Sequence, residues 1–369
     1  MSHSISPPSG TSRASPRVVG SGLVALDVFL RKERVPAWSA LGGSAGNVLA
    51  VLAYLGWSSI PVARLGRDAA ADRIRREFEE LGADTRFLLC DPLSCTPVVY
   101  QLPGECDKTH RFSFVCPNCG QRRGFACSHG DDLSAPVLRN VATPSVFYFD
   151  RITPIALALA EAYRACGTLV MFEPSAVVED TAGFSRAVRA AHVLKYADDR
   201  IADLAGYGLD HVDIEIQTLG VRGLRFRAPS LVDDWVTLPA FEVPHIEDTA
   251  GAGDWCSAGM LYALFAGEGV VAVESLTHNR LFEALRFGQA LAALNCMYQG
   301  ARGLARRWAA LRVARTARAL CRSQPALSSV GYRHQAAPRL FEWPSVTDSY
   351  LRSAKITEIP RLCCEPLHI

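Results

Sequence analysis

The stretch Asp248-Thr249-Ala250-Gly251-Ala252-Gly253-Asp254, followed at once by the apolar run WCSAGMLYALF over 255–265, decides how this chain is read. Two glycines within three residues let the backbone turn freely and bring its N–H groups close to a ligand, and a helix starting there adds the positive end of its dipole. Such a turn is an anion site. An acid at its last position sits beside whatever the N–H groups hold, which is the arrangement needed to take the proton from a hydroxyl as it attacks phosphorus. The chemistry indicated is phosphoryl transfer; the plainer alternative is a turn that only starts a helix. No Gly-Lys-Ser/Thr follows, so this is not a Walker A loop, and its late position with acids at both ends sets it apart from the GxGxxG dinucleotide fingerprint.

The rest of the chain bounds that reading. With 369 residues and 49% hydrophobic content it can bury a large core, either as one α/β domain with an appended piece or as two domains. Lys+Arg number 39 against 37 Asp+Glu, a net charge of +2, so no global field points to nucleic acid and a small-molecule ligand fits better. Residues 1–16 are rich in Ser and Pro, lack the apolar centre of a secretory signal, and read as a disordered lead-in. The longest apolar runs, VLAVLAYLGW and SAGMLYALFAG, are too short to span a bilayer. The expectation is a soluble, cytoplasmic protein with no membrane partner, whose 12 cysteines are reduced core residues plus a candidate metal cluster.

Strand and helix patterns alternate. RVVGSGLVALDVFL (17–30) reads as a buried first strand, broken by Gly20 and Gly22 and carrying Asp27. After Gly42-Gly43-Ser44-Ala45-Gly46-Asn47 comes the helical run VLAVLAYL, stopped by Gly56, and AADRIRREFEELG places Ile74, Phe78 and Leu81 on one face. TRFLLC and TPVVYQL then read as short strands, followed by a polar, cysteine-bearing stretch over 104–130, all standing off the main domain. SVFYFD, ALALAEAYRAC, TLVMFEP, GFSRAVRAA, HVLKYA and VDIEIQTLG resume the alternation, and a hairpin-like GVRGLRFRAP precedes the glycine run. A long helix over 281–300 closes the series, so the pattern calls for a mostly parallel, doubly wound sheet with helices on both faces. Beyond it, LARRWAALRVARTARALCR is arginine-rich and amphipathic, a solvated surface helix or, alternatively, a surface for an acidic partner; the role of 305–369 stays open.

GGSAGN at 42–47 and DTAGAGD at 248–254, in this order and each followed by a helix, together resemble the two signatures of the PfkB, or ribokinase-like, family of carbohydrate and nucleoside kinases over residues 17–304. The resemblance implies an α/β domain with a small β-sheet lid, here around 30–40 and 85–130, and often pairing of two chains through the lids. It implies an ATP-dependent phosphotransferase acting on a hydroxyl of a small sugar, with a nucleoside as alternative acceptor. Asp254 then corresponds to the catalytic base and Ala250, Gly251, Ala252 and Gly253 to its anion hole. Asp27, Gly42, Gly43 and Asn47 correspond to acceptor-binding positions, although Asn47 is also placed to cap a helix, and Asp150 follows by strand order. Thr218 and Gly220 resemble a segment near the ATP phosphates, or are an ordinary strand-end turn. Ala301-Arg302-Gly303 resembles a loop that helps bind a monovalent cation with the Asp248 region.

Two departures stand out. Where the family carries Asn-x-x-Glu to organise Mg²⁺, this chain reads Ala197-Asp198-Asp199-Arg200, so Asp198 or Asp199 would have to supply a carboxylate. The same change is compatible with a non-catalytic, kinase-like binding protein. Lys195 just upstream either neutralises phosphate charge or lies solvated at a strand end. The second departure is Cys116-Pro117-Asn118-Cys119-Gly120, a knuckle-like CxxCG with Cys106, His110, Cys127 and His129 nearby. Cys116 and Cys119 with Cys127 and His129 or Cys106 make a candidate structural Zn²⁺ set within one chain, and two knuckles could share a metal across a dimer.

Overall fold

The computed structural model describes residues 15–30, 36–103, 110–125, 132–266, 271–324 and 343. The first apolar run is not one strand but two. β1 (Arg17–Ser21) lies inside the large sheet, while β2 (Ala25–Leu30) pairs with β3 (Pro36–Gly42) in a small one. The switch falls at Gly22, whose φ of +138° is a conformation that side-chain-bearing residues rarely adopt, and where a Cβ would collide with the Asp150 carboxylate. Glycine at this joint lets a single apolar sequence serve two sheets.

After α1 (Ser44–Tyr54), β4 (Ser58–Gly66) and α2 (Ala69–Glu80), the segment expected in the lid proves to be β5 (Leu88–Asp91), which pairs in parallel with β4 at the edge of the large sheet. Its alternation matches a lid strand equally well; only pairing tells them apart. The lid consists instead of β2, β3, β6 (Val98–Pro103) and β7 (His110–Ser113), in the order β3-β2-β6-β7.

α3 (Ser134–Asn140) leads into β8 (Val146–Phe149), α4 (Pro154–Ala165), β9 (Leu169–Phe172), α5 (Thr181–Ala190), β10 (Val193–Ala197) and β11 (Ile214–Thr218). β12 (Leu224–Ala228) and β13 (Val232–Leu238) then add an antiparallel edge, which gives the nine-stranded order β13-β12-β11-β10-β9-β8-β1-β4-β5. Every strand from β11 across to β5 runs parallel to its neighbour. Because side chains alternate, Val146 and Tyr148 enter one core and Phe147 and Phe149 the other. α6 (Ala252–Leu264) and α7 (His278–Asn295) fill the first core with α1 and α2; α3, α4 and α5 fill the second.

The chain continues through α8 (Gly303–Arg307) into α9 (Ala310–Ser323), and here the fold departs from the expected solvated helix. Val313, Ala314, Ala317 and Leu320 are buried in the first core, Trp308 is 7% exposed, and only the opposite face, with Leu311 at 61%, meets solvent. The amphipathic pattern is that of a helix docked by one face. Since Leu320 is fully buried, Leu320→Ala should lower stability by about 2–5 kcal/mol in urea unfolding; a loss below about 1 kcal/mol would place α9 outside the cooperative core.

Candidate active site

Parallel α/β sheets bind ligands beyond the carboxyl ends of their strands, where neighbouring connections diverge. Here β1 is that point, since its neighbours are β4 and β8. Asp150 and Glu173 lie just past the ends of β8 and β9, Thr218 ends β11, and Lys195 stands two residues before the end of β10.

α6 starts at the glycine run. Gly251 has φ +74°, and a Cβ there would lie 2.5 Å from the Ala301 carbonyl oxygen, so glycine alone fits both the left-handed turn and the loop crossing it. Asp248 ties the same two segments together, accepting from the Ala250 N–H at 2.8 Å and the Gly300 N–H at 2.7 Å. Asn295 donates to the Ala250 carbonyl and accepts from the Leu304 N–H, both at 3.2 Å, and the Trp255 indole donates to the Ala301 carbonyl at 2.9 Å. The turn is thus fixed from outside. Among the described residues no backbone carbonyl accepts from the N–H groups of Gly251, Gly253 or Asp254, so these three donors stand open at the start of α6. At Gly253 a Cβ would come no closer than 3.7 Å to another group, so the fold does not require that glycine; its bareness instead gives a ligand close approach.

Asp254 stands in the first turn of α6 and accepts from Asn47 Nδ2 at 2.8 Å, so the two glycine-rich segments meet at this carboxylate. Burial and the neighbouring Glu173 push the Asp254 pKa well above the usual carboxylate range, against the opposing pull of Asn47 and Lys195. Asp27 on the lid is buried, is raised to about 7 mainly by burial, and is partly held down by Arg302 and by Gln101. Gln101 Nε2 donates to it at 3.3 Å. Gly42 leaves the room that Asp27 occupies, since a Cβ there would lie about 2.1 Å from its carboxyl carbon. Two buried acceptors, Asn47 Oδ1 and Gln101 Oε1, have no hydrogen-bond partner among the described residues. Gln101 escaped the sequence reading, because a polar residue in a lid strand looks like any solvent-facing strand position.

Asp150 is engaged by the chain itself: it accepts from the Leu23 N–H at 2.8 Å and pairs with Arg151 at 3.0 Å. It braces the β1–β2 joint. Lys195 is not a solvated strand-end residue. It is 2% exposed, paired with Glu173, and donates to the Gly253 carbonyl at 3.2 Å. Burial would lower its pKa, but the Glu173 carboxylate outweighs that and keeps the ammonium charged. Glu173 also takes hydrogen bonds from Ser257 at 2.5 Å and Tyr148 at 3.1 Å. This brace beneath α6 was missed as well, although an acid ending the apolar strand TLVMFEP was a usable signal.

At the nucleotide end, Thr218 is half-buried and Gly220 opens a turn with nothing within 4 Å of its missing Cβ. Asp198 is ion-paired with Arg222 while Asp199 faces solvent, so the two do not form a shared carboxylate cradle. In the lid, Cys116 and Cys119 sit in a tight turn in which Gly120 takes φ +71°, its N–H bonds the Cys116 carbonyl at 3.0 Å, and Val115 bridges Arg122. Cys127 and His129 lie outside the described residues, and among those described no cluster of three or more His, Cys, Asp or Glu is placed to hold a metal. Nor is any helix among them long and apolar enough to cross a membrane.

The raised Asp27 pKa carries a sign. The folded chain keeps a proton that the unfolded chain releases near 3.8, so this group's contribution to stability is full below that value and is lost as pH rises through about 7. Were Asp27 to bind a hydroxylated ligand as its carboxylate, the pH dependence of that binding would run the other way. Calorimetric titration of Asp254→Asn with a sugar acceptor should show affinity growing up to about pH 7 and then levelling, with Asp27→Asn weak and flat throughout; a pH-independent affinity for the Asp27-bearing protein would remove the ionised role.

Residues 189–307 match the family described as pfkB family carbohydrate kinase. An ATP-dependent ribose-1-phosphate kinase of Halopiger xanaduensis is 27% identical over 302 residues, 78% of this chain and 94% of that one. Among solved structures, aminoimidazole riboside kinase from Salmonella enterica, complexed with aminoimidazole riboside and an ATP analogue, superposes with a TM-score of 0.60 at 21% identity, over 78% of this chain and 96% of its own. A fructokinase double mutant from Vibrio cholerae, bound to fructose, ADP and potassium ion, gives a TM-score of 0.62 at 19% identity, over 80% and 96%. Nine strands with a four-stranded lid, and a match that spans the glycine run at the start of α6, make this chain similar in fold and in that segment to the pfkB family of carbohydrate kinases.

Proposed function

We propose that the protein transfers a phosphoryl group from ATP to a hydroxyl of a small sugar. The observation that carries this is the bond that sets Asn47 on Asp254 beside the open N–H groups of Gly251, Gly253 and Asp254, together with three buried acceptors, Asp27, Asn47 Oδ1 and Gln101 Oε1, that suit hydroxyl donors. Asp254 takes the proton of the attacking hydroxyl. Its raised pKa makes it a better base once ionised, and the bond from Asn47 fixes its direction. The N–H groups meet the charge that develops on the transferred phosphoryl group, and losing one such donor costs about a hundredfold in rate. Lys195 and Glu173 hold the first turn of α6 in place from below. Mg²⁺, where bound with ATP, spreads charge over the phosphate oxygens; Asp199, outside any ion pair, is the carboxylate here that can reach toward it. Asp248, with the loop over 300–303, is the candidate monovalent-cation region, and Thr218 and Gly220 border the nucleotide.

The relatives act on or bind ribose-1-phosphate, a riboside and fructose, so a nucleoside is the second acceptor class. The altered segment at Asp198 keeps a binding protein without turnover in view. A panel of ribose, ribose-1-phosphate, fructose and aminoimidazole riboside assayed for ADP release separates these. Turnover on one acceptor, reduced at least about a thousandfold in Asp254→Asn, is expected; binding without ADP release from any of them overturns the kinase reading.

The cysteine turn supports a further structural role. Cys116 and Cys119 would supply two thiolates of a zinc site, its remaining ligands drawn from Cys106, Cys127 and His129 or from a second chain, and the exposed Phe112 and Val115 of the lid suit pairing of two chains. Protein purified without chelator should contain zinc and sediment with a two-chain mass; zinc-free protein would remove the metal, and a one-chain mass the dimer.

A further inference from the structure

Three guanidinium groups, Arg73, Arg302 and Arg306, gather where α2 and α8 meet the lid. Their carboxylate neighbours are Glu77 and Asp27. Glu77 is fully engaged: Arg73 reaches it at 2.9 Å and Arg302 at 2.8 Å, and Arg302 also donates to the Leu41 carbonyl at 2.6 Å. Burial alone would raise the Glu77 pKa, yet the three arginines hold it below the usual range. Asp27, raised to about 7, is only partly ionised near neutrality. Positive charge exceeds negative in this cluster, and Arg306 is where the excess sits: among the described residues its guanidinium has neither ion pair nor hydrogen bond, only the ring of Trp38, 4.3 Å below it. Burial and Arg302 push its pKa down to about 10, as expected of a cation taken partly out of water without an anion.

The position is specific. Asp27 and Phe29 share a face of β2, and Trp38 lies opposite Phe29 in register and stacks on it at 3.5 Å. Arg306 therefore stands one step along the same lid face from the carboxylate that grips the acceptor. A guanidinium presents a planar fork of donors suited to phosphate or carboxylate, and desolvation strengthens such a bond. We infer that the acceptor is itself anionic, a sugar carrying a phosphate or carboxylate group away from the reacting hydroxyl, and that Arg306 binds that group. The inference rests on the kinase reading above and names the substrate class of the same site.

The alternative for Arg306 is purely structural, a clamp on Trp38, and kinetics separate the two. The acceptors are ribose-1-phosphate, ribonate and neutral ribose, each compared in the native protein, in Arg306→Gln and in Trp38→Leu. We expect kcat/KM to favour an anionic acceptor over ribose in the native protein, by about ten- to a hundredfold. Arg306→Gln should erase that preference with the rate on ribose nearly unchanged, and Trp38→Leu should retain it. Which anion is preferred distinguishes phosphate from carboxylate. Calorimetric titration of Asp254→Asn with the same three compounds gives the affinity order without turnover. Ribose equal to or better than both anions, or an equal loss on all three in Arg306→Gln, overturns the inference and leaves the kinase intact. No ADP release from any acceptor removes the kinase reading and this inference with it.

Discussion

The bond from Asn47 to Asp254 joins two segments 207 residues apart, and the rest of the site depends on it. Asn47 belongs to α1, which follows the lid strand β3 across Gly43; Asp254 belongs to α6, which starts at the glycine run. A carboxylate free to rotate would spread its lone pairs over many directions, whereas one held by a buried amide points one oxygen at a fixed place. For α1 and α6 to come this close, both must carry small, apolar faces, and Ala45, Ala50 and Ala258 are fully buried between them and the sheet. The catalytic geometry is thus paid for in ordinary core packing.

Beneath the site lies a second constraint. Glu173, Lys195, Ser257 and Tyr148 form a polar network under a helix start, where unsatisfied groups would be costly. Each member answers another. The negative charge of Glu173, with Cys256 and Asp254, raises the Lys195 pKa against burial, and it adds to burial in raising that of Asp254, so one buried acid touches both groups at the start of α6. Replacing it with an apolar residue would relieve a desolvation cost but release both effects.

Legibility from sequence followed the range of the interactions. The sheet, the order of helices and the anion-binding turn were readable because period, turn chemistry and glycine placement are local. Asp27, Asn47 and Asp254 stood out through the paired glycine signatures, and the structure joins Asn47 to Asp254. What escaped depends on partners far along the chain: β5 joining the large sheet, the division of the first strand at Gly22, α9 docking by one face, and Lys195 buried against Glu173. Gln101 looks like a solvent-facing strand residue until β6 is seen beside β2. An alternating strand carries no label for the sheet it joins.

The joint at Gly22 has a mechanical consequence. Only three residues, Gly22 to Val24, separate the central strand β1 from the lid strand β2, and on the return side Gly43 alone separates β3 from α1. These two joins, both at the middle of the sheet, are shorter than the connections from β5 to β6 and from β7 to α3, so a tilt of β2 and β3 would turn about them. Such a tilt would carry Asp27 on β2 and Gln101 on the neighbouring β6 together.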